Sequence, residues 1–215
     1  MTVYVGSPAD VDPPLIDPVA PDTATTGIPS SGIEVLGRSH TGHEFVARVL
    51  SEMPDVAVVD VRLDDVDAHA VCRRLHEWAP AVRLVAVGPL DDERLFGALV
   101  NGASSAVLLD EPPELAGSVV IGTARGESRI LPRMAFRLLH DIDAWARRSA
   151  DPLYPPPQLT ATEREVLGRL GDGDDPATIA TLHHVTAHLV NIHTGYAVAK
   201  LHRYVLGADR APTGG

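Results

Sequence analysis

The sequence predicts an α/β protein in which a doubly wound parallel sheet is followed by a small all-α domain. Three observations predict this class. Short apolar runs alternate with amphipathic segments over residues 1–128, prolines cluster at residues 152–157, and only helical patterns follow residue 159. Repeated strand and helix with short connections is typical of a parallel sheet with helices on both faces. A proline cluster forms a stiff, extended linker, so the domain boundary is placed there.

The candidate strands are short runs rich in β-branched residues, bounded by Gly, Pro or acidic residues. They lie at residues 2–5, 33–37, 54–63, 82–87 and 106–109. The third of these delivers one carboxylate, Asp60, to the end of a buried strand. In parallel sheets ligands bind just beyond the carboxyl ends of the strands. Asp60 is therefore the first candidate for a functional side chain.

Between these strands the apolar residues recur at helical spacing. The predicted helices cover residues 42–53, 67–78 and 91–101, a segment opened by Pro112 and Pro113, and a connector at 132–150. Proline is tolerated in a first helical turn but not at the close spacing of residues 8–29. No regular helix is expected in that Pro-rich segment.

Beyond the linker, three short helices are predicted. Thr160 and Glu163 have the spacing of a capping box at the start of the first helix. A second helix covers residues 176–183, and a tight turn through His184 leads to Thr186, which can cap the third helix. This is a helix-turn-helix arrangement, whose last helix enters the major groove of DNA.

Composition limits the classes of function. The 215 residues include 29 acidic and 18 basic ones, for a formal net charge of −11, which argues against a protein that coats nucleic acid or membrane surfaces. The single cysteine, Cys72, excludes an internal disulfide and favours a reducing cytoplasm. No basic leader precedes an apolar core, and no apolar run approaches the roughly 20 residues that span a bilayer. A cytoplasmic protein is expected.

Both halves together resemble the NarL/LuxR type of two-domain response regulator. The resemblance in the last domain rests on the segment from Leu159 to Leu167, with Gly173, Ile179, Val190 and Lys200 in register. In the first domain the aligned segments are residues 54–62, 91–93, 102–104 and 112–115. The resemblance implies a receiver-like domain at 1–128, a connector and linker at 129–157, a DNA-binding domain at 158–206, and a disordered tail at 207–215.

The family's phosphorylation chemistry lacks its partners here. Phosphorylating an aspartate requires a divalent cation held by carboxylates, and positive charge with hydroxyl donors for the phosphoryl group. By the resemblance, the family's acidic pair falls on Gly6 and Ser7, its hydroxyl residue on Val87 or Gly88, and its lysine on Leu109. Asp60 is then a phosphoacceptor equivalent that goes unused. Asp10 or Asp12 is an alternative cation ligand, but nothing replaces the lysine, and no cofactor or metal is predicted.

The family's first helix corresponds to the Pro-rich segment. Without a helix there, apolar surface from Val119, Val120 and Ile121 is expected to be partly uncovered. Uncovered apolar patches usually mark a ligand groove or an interface. The first domain is therefore predicted to form a homodimer and to sense a small-molecule effector, as the resemblance to atypical, phosphorylation-independent actinobacterial regulators also implies.

The third helix of the last domain carries the predicted DNA contacts. With Val190 at the centre of a buried face that also includes Thr194, Ala197 and Leu201, an outward face remains for base edges. The candidate DNA-binding residues on or beside that face are Thr186, His188, Asn191, Ile192, Gly195 and Lys200.

Five of the ten histidines lie in this domain, at positions 183, 184, 188, 193 and 202. Protonated near their reference pKa of about 6.5, they would make it basic, so DNA affinity is predicted to rise as the pH falls from 8 to about 6. Surface or capping roles are the alternative reading. A metal site from His183, His184 and His188, or from His40, His43 and Glu44, is disfavoured because supporting ligands are lacking.

These observations predict a sequence-specific DNA-binding transcriptional regulator, controlled by a ligand or by its own abundance. The alternative is a protein-interaction module whose helix-turn-helix no longer holds DNA, which the apolar Leu189 and Ile192 favour. An enzyme is not expected, because the sequence has no Gly-rich phosphate loop, nucleophile elbow or paired acid and base at meaningful spacing.

Overall fold

A computed structural model describes residues 1–9, 33–148 and 155–208 of the chain. The first domain contains a five-stranded parallel sheet in the order β2-β1-β3-β4-β5. The strands are β1 (Thr2–Gly6), β2 (Glu34–Ser39), β3 (Val56–Asp60), β4 (Arg83–Gly88) and β5 (Ser105–Leu108). The predicted doubly wound parallel sheet is confirmed, and each strand lies within a few residues of its predicted position.

Four helices cover the two faces of this sheet. They are α1 (Gly42–Glu52), α2 (Ala68–Trp78), α3 (Glu93–Val100) and α4 (Pro113–Ala124). The first three share one buried cluster with the inward side chains of one sheet face. Helix α4 packs on the opposite face against valines of the strands. This is the layered arrangement that alternating strand and helix patterns predict.

The first three helices begin where a side-chain oxygen can cap them. Thr41, Asp67 and Asp92 each accept a hydrogen bond from a backbone N–H in the first turn of the helix that follows. Such a cap stabilises a helix by about 1 kcal/mol. Pro112 and Pro113 open α4, where the missing N–H of proline is not needed.

The expectation that α4 leaves apolar surface uncovered is wrong for two of the three residues named. Val119 is 7% exposed and Val120 is 0% exposed. With Ala116 they belong to the cluster of sheet valines, because their spacing on α4 turns them toward the strands. Ile121 is half-buried. The Pro-rich segment itself lies almost wholly in residues 10–32, outside the described residues, so the predicted loss of the family's first helix is not tested.

The C-terminal part is helical, as predicted. It contains α5 (Pro132–Arg148), α6 (Ala161–Gly171), α7 (Pro176–His183) and α8 (Ala187–Ala208). The predicted capping box is present, with Thr160 Oγ1 accepting from Glu163 N at 3.2 Å and Glu163 Oε2 accepting from Thr160 N at 2.8 Å. His184 ends α7 in the left-handed region, with φ 54°, and Thr186 Oγ1 caps α8.

The two parts of the chain share a continuous buried cluster. It runs from Phe45 and Leu99 of the first domain through Leu138 of α5 to Leu167 and Leu201. Helix α5 packs along α6, and α8 contacts α3 of the first domain. The last helices therefore lie directly against the sheet domain. The predicted domain boundaries stay predictions, and residues 149–154 and 209–215 lie outside the described residues.

Two smaller expectations concern Cys72 and membranes. Cys72 is a residue of α2 and is buried in the cluster between that helix and the sheet. Burial raises the pKa of its thiol to about 12, so the thiol stays protonated. A packing role fits this environment. Within the residues described, no helix has the length and apolar character that a bilayer span requires.

Candidate functional site at Asp60 and on the last helix

Asp60 is the last residue of the central strand β3, between β1 and β4. The strand register pairs it with Val87 of β4 and brings its neighbour Val59 beside Gly6 of β1. All of these positions lie at the carboxyl edge of the sheet. Asp60 is only 1% exposed. A buried carboxylate in this place needs partners that compensate its charge.

Arg62 supplies that compensation. Its backbone N–H and its Nε both donate to Asp60 Oδ1, at 2.9 and 3.0 Å, and its Nη2 donates to Oδ2 at 2.7 Å. A guanidinium that meets both carboxylate oxygens in a fork forms a strong, geometrically specific pair. Both oxygens that a phosphoryl transfer or a cation would need therefore already bind a cation of the chain itself.

The two positions of the family's acidic pair, Gly6 and Ser7, lie among buried side chains. Phe45 is fully buried, and its ring atom Cδ2 would lie 2.7 Å from a Cβ added at Gly6. Ser7 is 1% exposed, and its backbone N–H donates to Ser39 O of β2 at 3.0 Å. An acidic side chain at position 6 would clash with the ring of Phe45. Neither position carries a carboxylate, and the packing around Gly6 leaves no room for one.

The remaining predicted pocket positions are equally unsuited to phosphate. Val87 is fully buried, and Leu109 is half-buried and packs against the valine cluster. A Cβ at Gly88 would lie 2.6 Å from Val61 Cγ2. These side chains offer no hydroxyl or amine to a phosphoryl group.

Two of the acidic residues that follow Asp60, Asp65 and Asp67, bind the first turns of helices. Asp65 accepts hydrogen bonds from the N–H groups of Gly42 at 2.6 Å and His43 at 3.2 Å, at the start of α1. Burial would raise its pKa, but these donors and the His43 ring hold the pKa below its usual value. Asp10 and Asp12, the alternative cation ligands, lie outside the described residues. Among the residues that are described, no group of three or more His, Cys, Asp or Glu side chains is placed to hold a metal.

The predicted DNA-binding helix, α8, buries the face that the sequence indicates. Val190 and Thr194 are each 1% exposed, and Ala197 and Leu201 are fully buried. Ile192 is half-buried, while Ala199 and the capping Thr186 are exposed. The outward face of α8 is only partly exposed to solvent, because part of it lies against the first domain.

Glu127, in the loop after α4, holds two of the predicted DNA contacts. Its Oε1 lies 2.7 Å from His188 Nδ1, and its Oε2 accepts from Asn191 Nδ2 at 2.9 Å. The adjacent Ser128 N–H donates to Asn191 O at 3.0 Å. The same carboxylate thus binds the side chains that would read bases, and a backbone hydrogen bond fixes their register.

Gly195 completes this contact. A Cβ there would lie 2.6 Å from Gly126 O and 3.5 Å from Ser128 Oγ. The absence of a side chain lets α8 approach the loop backbone, where the sequence predicted an approach to DNA. We call the contacts of Gly126, Glu127 and Ser128 with α8 the docking interface.

Lys200 is placed differently from the other five candidates. Its Nζ donates to Glu163 Oε2 at 2.7 Å and to Gln158 O at 3.1 Å. Glu163 is 3% exposed. Burial would raise the pKa of Glu163, but Lys200 and the Thr160 N–H hold it below its usual value. Lys200 therefore links α8 to the capping box of α6 through hydrogen bonds.

The five histidines of this domain do not form one basic group. His202 is 5% exposed, and its Nε2 donates to Leu99 O of α3 at 2.7 Å. Burial lowers its pKa to about 4, with a smaller contribution from His76, so His202 is neutral between pH 6 and 8. The prediction that it adds positive charge in that range is wrong. His183 lies 3.3 Å from Glu165, and His188 contacts Glu127.

Sequence reasoning missed three residues that define these sites. Arg62 stands two positions after Asp60, close enough in sequence to have suggested an internal partner for the carboxylate. Phe45 lies on the buried face of α1, and helical spacing does not show that its ring fills the space beside Gly6. No sequence pattern marks Glu127, because its contacts depend on how the two parts of the chain pack.

We expect Glu127→Ala to weaken the docking interface. The substitution removes the acceptor of two hydrogen bonds, each contributing about 1 kcal/mol at this partly exposed position. Amide hydrogen exchange at Ser128, whose N–H donates across the interface, should therefore become faster by up to about thirtyfold. Glu127→Gln, which keeps polar atoms in place, should give an intermediate rate, and Glu114→Ala on α4 is the matched control. Equal exchange in all the variants would contradict a role for Glu127 in holding α8.

The chain is similar in sequence to known response regulator proteins. No family model matches the chain. The response regulator protein VraR of Staphylococcus aureus (strain NCTC 8325 / PS 47) is 27% identical over 172 residues, which cover 80% of this chain and 79% of VraR. VraR of strain Mu50 / ATCC 700699 is 26% identical over the same length.

Two solved structures of response regulators show a partial structural similarity to this chain. A LuxR-family two-component response regulator from Aurantimonas sp. SI85-9A1 has a TM-score of 0.49 at 15% identity, covering 65% of this chain and 96% of that one. RcsB from Salmonella enterica serovar Typhimurium, bound to promoter rprA, has a TM-score of 0.46 at 16% identity, covering 95% and 98%. The sequence relatives show that the chain is similar to response regulator proteins.

Proposed function

We propose that the chain is a sequence-specific DNA-binding transcriptional regulator that acts without phosphorylation of Asp60. Its DNA-binding helix α8 is held against the first domain by the docking interface. Release of that helix, in response to a small molecule or to the abundance of the protein, replaces phosphorylation as the controlling step. We further propose that the active form is a homodimer.

The observation that carries the first part is the Asp60–Arg62 pair. A phosphoryl donor must reach a carboxylate oxygen that also faces a divalent cation. Here the guanidinium of Arg62 binds both oxygens, and Phe45 fills the space beside Gly6. Breaking such a pair leaves a buried charge without compensation, which costs several kcal/mol. Phosphorylation of Asp60 would have to overcome that free-energy cost, and the family's lysine is not present to stabilise the phosphorylated carboxylate.

DNA binding is proposed on the helix-turn-helix geometry and on the relatives. The helices α7 and α8 are joined by the tight turn at His184, and α8 has the length to lie in a major groove. Three of the four basic residues between Leu159 and Arg203 already form ion pairs with acidic residues. Attraction to DNA phosphates is therefore weak, and base contacts should supply a large part of the affinity.

Footprinting on the promoter of the chain's own gene, with and without acetyl phosphate and Mg²⁺, tests both parts. We expect protection of a discrete segment that changes less than twofold on addition of the phosphoryl donor, because Asp60 is not accessible to it. An Asp60→Asn variant should protect the same segment. Phosphate incorporation at Asp60 together with a large gain in protection would overturn phosphorylation independence, and lack of any protected segment would overturn DNA binding.

A second candidate function is favoured by exposed apolar side chains around the turn. Leu182, Val185 and Leu189 are 51%, 39% and 38% exposed on α7, the turn and α8. Apolar residues at a surface that should face phosphates suit a protein partner better. In this reading the chain is an interaction module that titrates another regulator. Protection of a promoter at moderate salt would decide for the first candidate.

A further inference from the structure

A cavity of about 320 Å³ lies between the first domain and the C-terminal half of α8. Residues from both sides line it, including Arg83 at the start of β4, His76 of α2, and Arg203 of α8. The volume is at the lower end of the range for small-molecule sites in proteins. The cavity exists only while α8 lies against the first domain, because each side supplies part of its wall.

The charges around this cavity favour an anion. The guanidinium groups of Arg83 and Arg203 make no ion pair or hydrogen bond within the residues that the structure describes. The nearby acid, Glu127, already contacts His188 and Asn191 with its two carboxylate oxygens. Two like charges that line one cavity repel each other, and an anion between them would remove that repulsion.

Ser128 adds an uncommitted polar group. It lines the same cavity and is 4% exposed, and its hydroxyl has no hydrogen-bond partner in the described part of the chain. The oxygen is not fully enclosed, so it is open to solvent in the cavity. A ligand oxygen in the cavity would supply a hydrogen-bond partner, beside the backbone N–H of Ser128 that already binds Asn191 O.

We propose that this cavity binds a small organic anion through a phosphate or carboxylate head group, which Arg83 and Arg203 contact from the two sides. Such a ligand binds only the docked arrangement, so it stabilises α8 against the first domain and lowers DNA affinity by mass action. This deepens the proposed function and rests on it for the effect on DNA, whereas binding to the cavity stands independently.

Thermal unfolding of the full chain in inorganic phosphate, in acetate, and in sodium chloride at matched ionic strength tests the site. At about 20 mM, at least one of the two anions should raise the Tm by about 3 °C above sodium chloride. The anion that acts identifies the head group. Arg83→Gln and Arg203→Gln should lose most of the shift, and Arg48→Gln, an exposed arginine of α1, should keep it.

Equal shifts in all the variants, or no shift with either anion in the unmodified chain, would overturn the proposal. A Gly195→Ala variant, in which α8 cannot approach Gly126, should also lose the shift; a full shift there would contradict a site shared by both sides. Because none of these measurements involves DNA, they stand even if the protein binds no promoter. In that case the proposed function fails and the anion site remains.

Discussion

Gly195→Ala should release α8 from the first domain and raise DNA affinity by about tenfold or more. The added Cβ would lie 2.6 Å from Gly126 O, a backbone atom that cannot rotate away. Either the loop or the helix must move, and the hydrogen bond from Ser128 N to Asn191 O is the contact that breaks. Losing that bond and the Glu127 contacts removes about 2 kcal/mol or more from the docked arrangement. A shift of that size in the docked-to-free equilibrium corresponds to more than tenfold in the population able to bind DNA.

The same substitution also favours the helix itself, by about 1 kcal/mol, because Ala is a better helix former than Gly. Gly207→Ala is the matched control, since it lies on the same helix and a Cβ there meets no atom within 4 Å. Two measurements are needed: fluorescence anisotropy with a promoter fragment, and amide exchange at Ser128. If the amide of Ser128 exchanges faster but DNA binding does not become tighter, the added methyl group also hinders DNA binding, and Gly195 lies against the DNA backbone in the complex. Unchanged exchange would show that α8 is not restrained by this contact.

Much of the fold follows from patterns that act over short distances. The valine runs of β3 and β4, the caps at Thr41, Asp67 and Asp92, and the capping box at Thr160 all depend on residues within a few positions of one another. Local propensity and periodicity suffice for such features. The same holds for the buried face of α8, since Val190 and its helical neighbours repeat at the expected spacing.

The sites were harder to predict because they depend on contacts between distant segments. Nothing near Gly6 in sequence indicates that Phe45 fills the adjacent space, and nothing near Glu127 indicates His188 and Asn191, more than sixty positions later. The outward face of α8 could be identified from its periodicity. Which surface it meets could not, because periodicity does not distinguish DNA from another domain.

His202 shows how such a distant contact changes a prediction. Taken alone, a histidine near a DNA-binding helix should gain a proton near pH 6.5 and attract phosphate. In the structure it is buried between α8 and α3, next to His76, with ring centroids 5.2 Å apart, and it donates to Leu99 O. Its neutral form is thus the one that the fold requires.

The folded state should therefore lose stability as the pH falls below about 6.5. The pKa of His202 is about 4 in the folded chain, against the ordinary value of 6.5 when unfolded, so the unfolded chain binds the proton first. The stabilising effect of the neutral ring is complete above pH 6.5, declines between 6.5 and 4, and is absent below 4. Over that range the free energy of unfolding should fall by about 3 kcal/mol.

Urea unfolding at pH 7 and pH 5.5 measures the upper part of this change, about 1.4 kcal/mol, in a range above the pH where most carboxylates of the unfolded chain take up protons. His202→Gln keeps a side-chain donor for Leu99 O and removes the titration, so its stability should change much less between the two pH values. His193→Gln, at a half-buried position on the same helix, should keep the full dependence. If His202→Gln instead follows the unmodified chain, the acid sensitivity comes from other groups. If it flattens the profile, acid acts at the contact between α8 and α3, and protonation of His202 opposes docking of the DNA-binding helix.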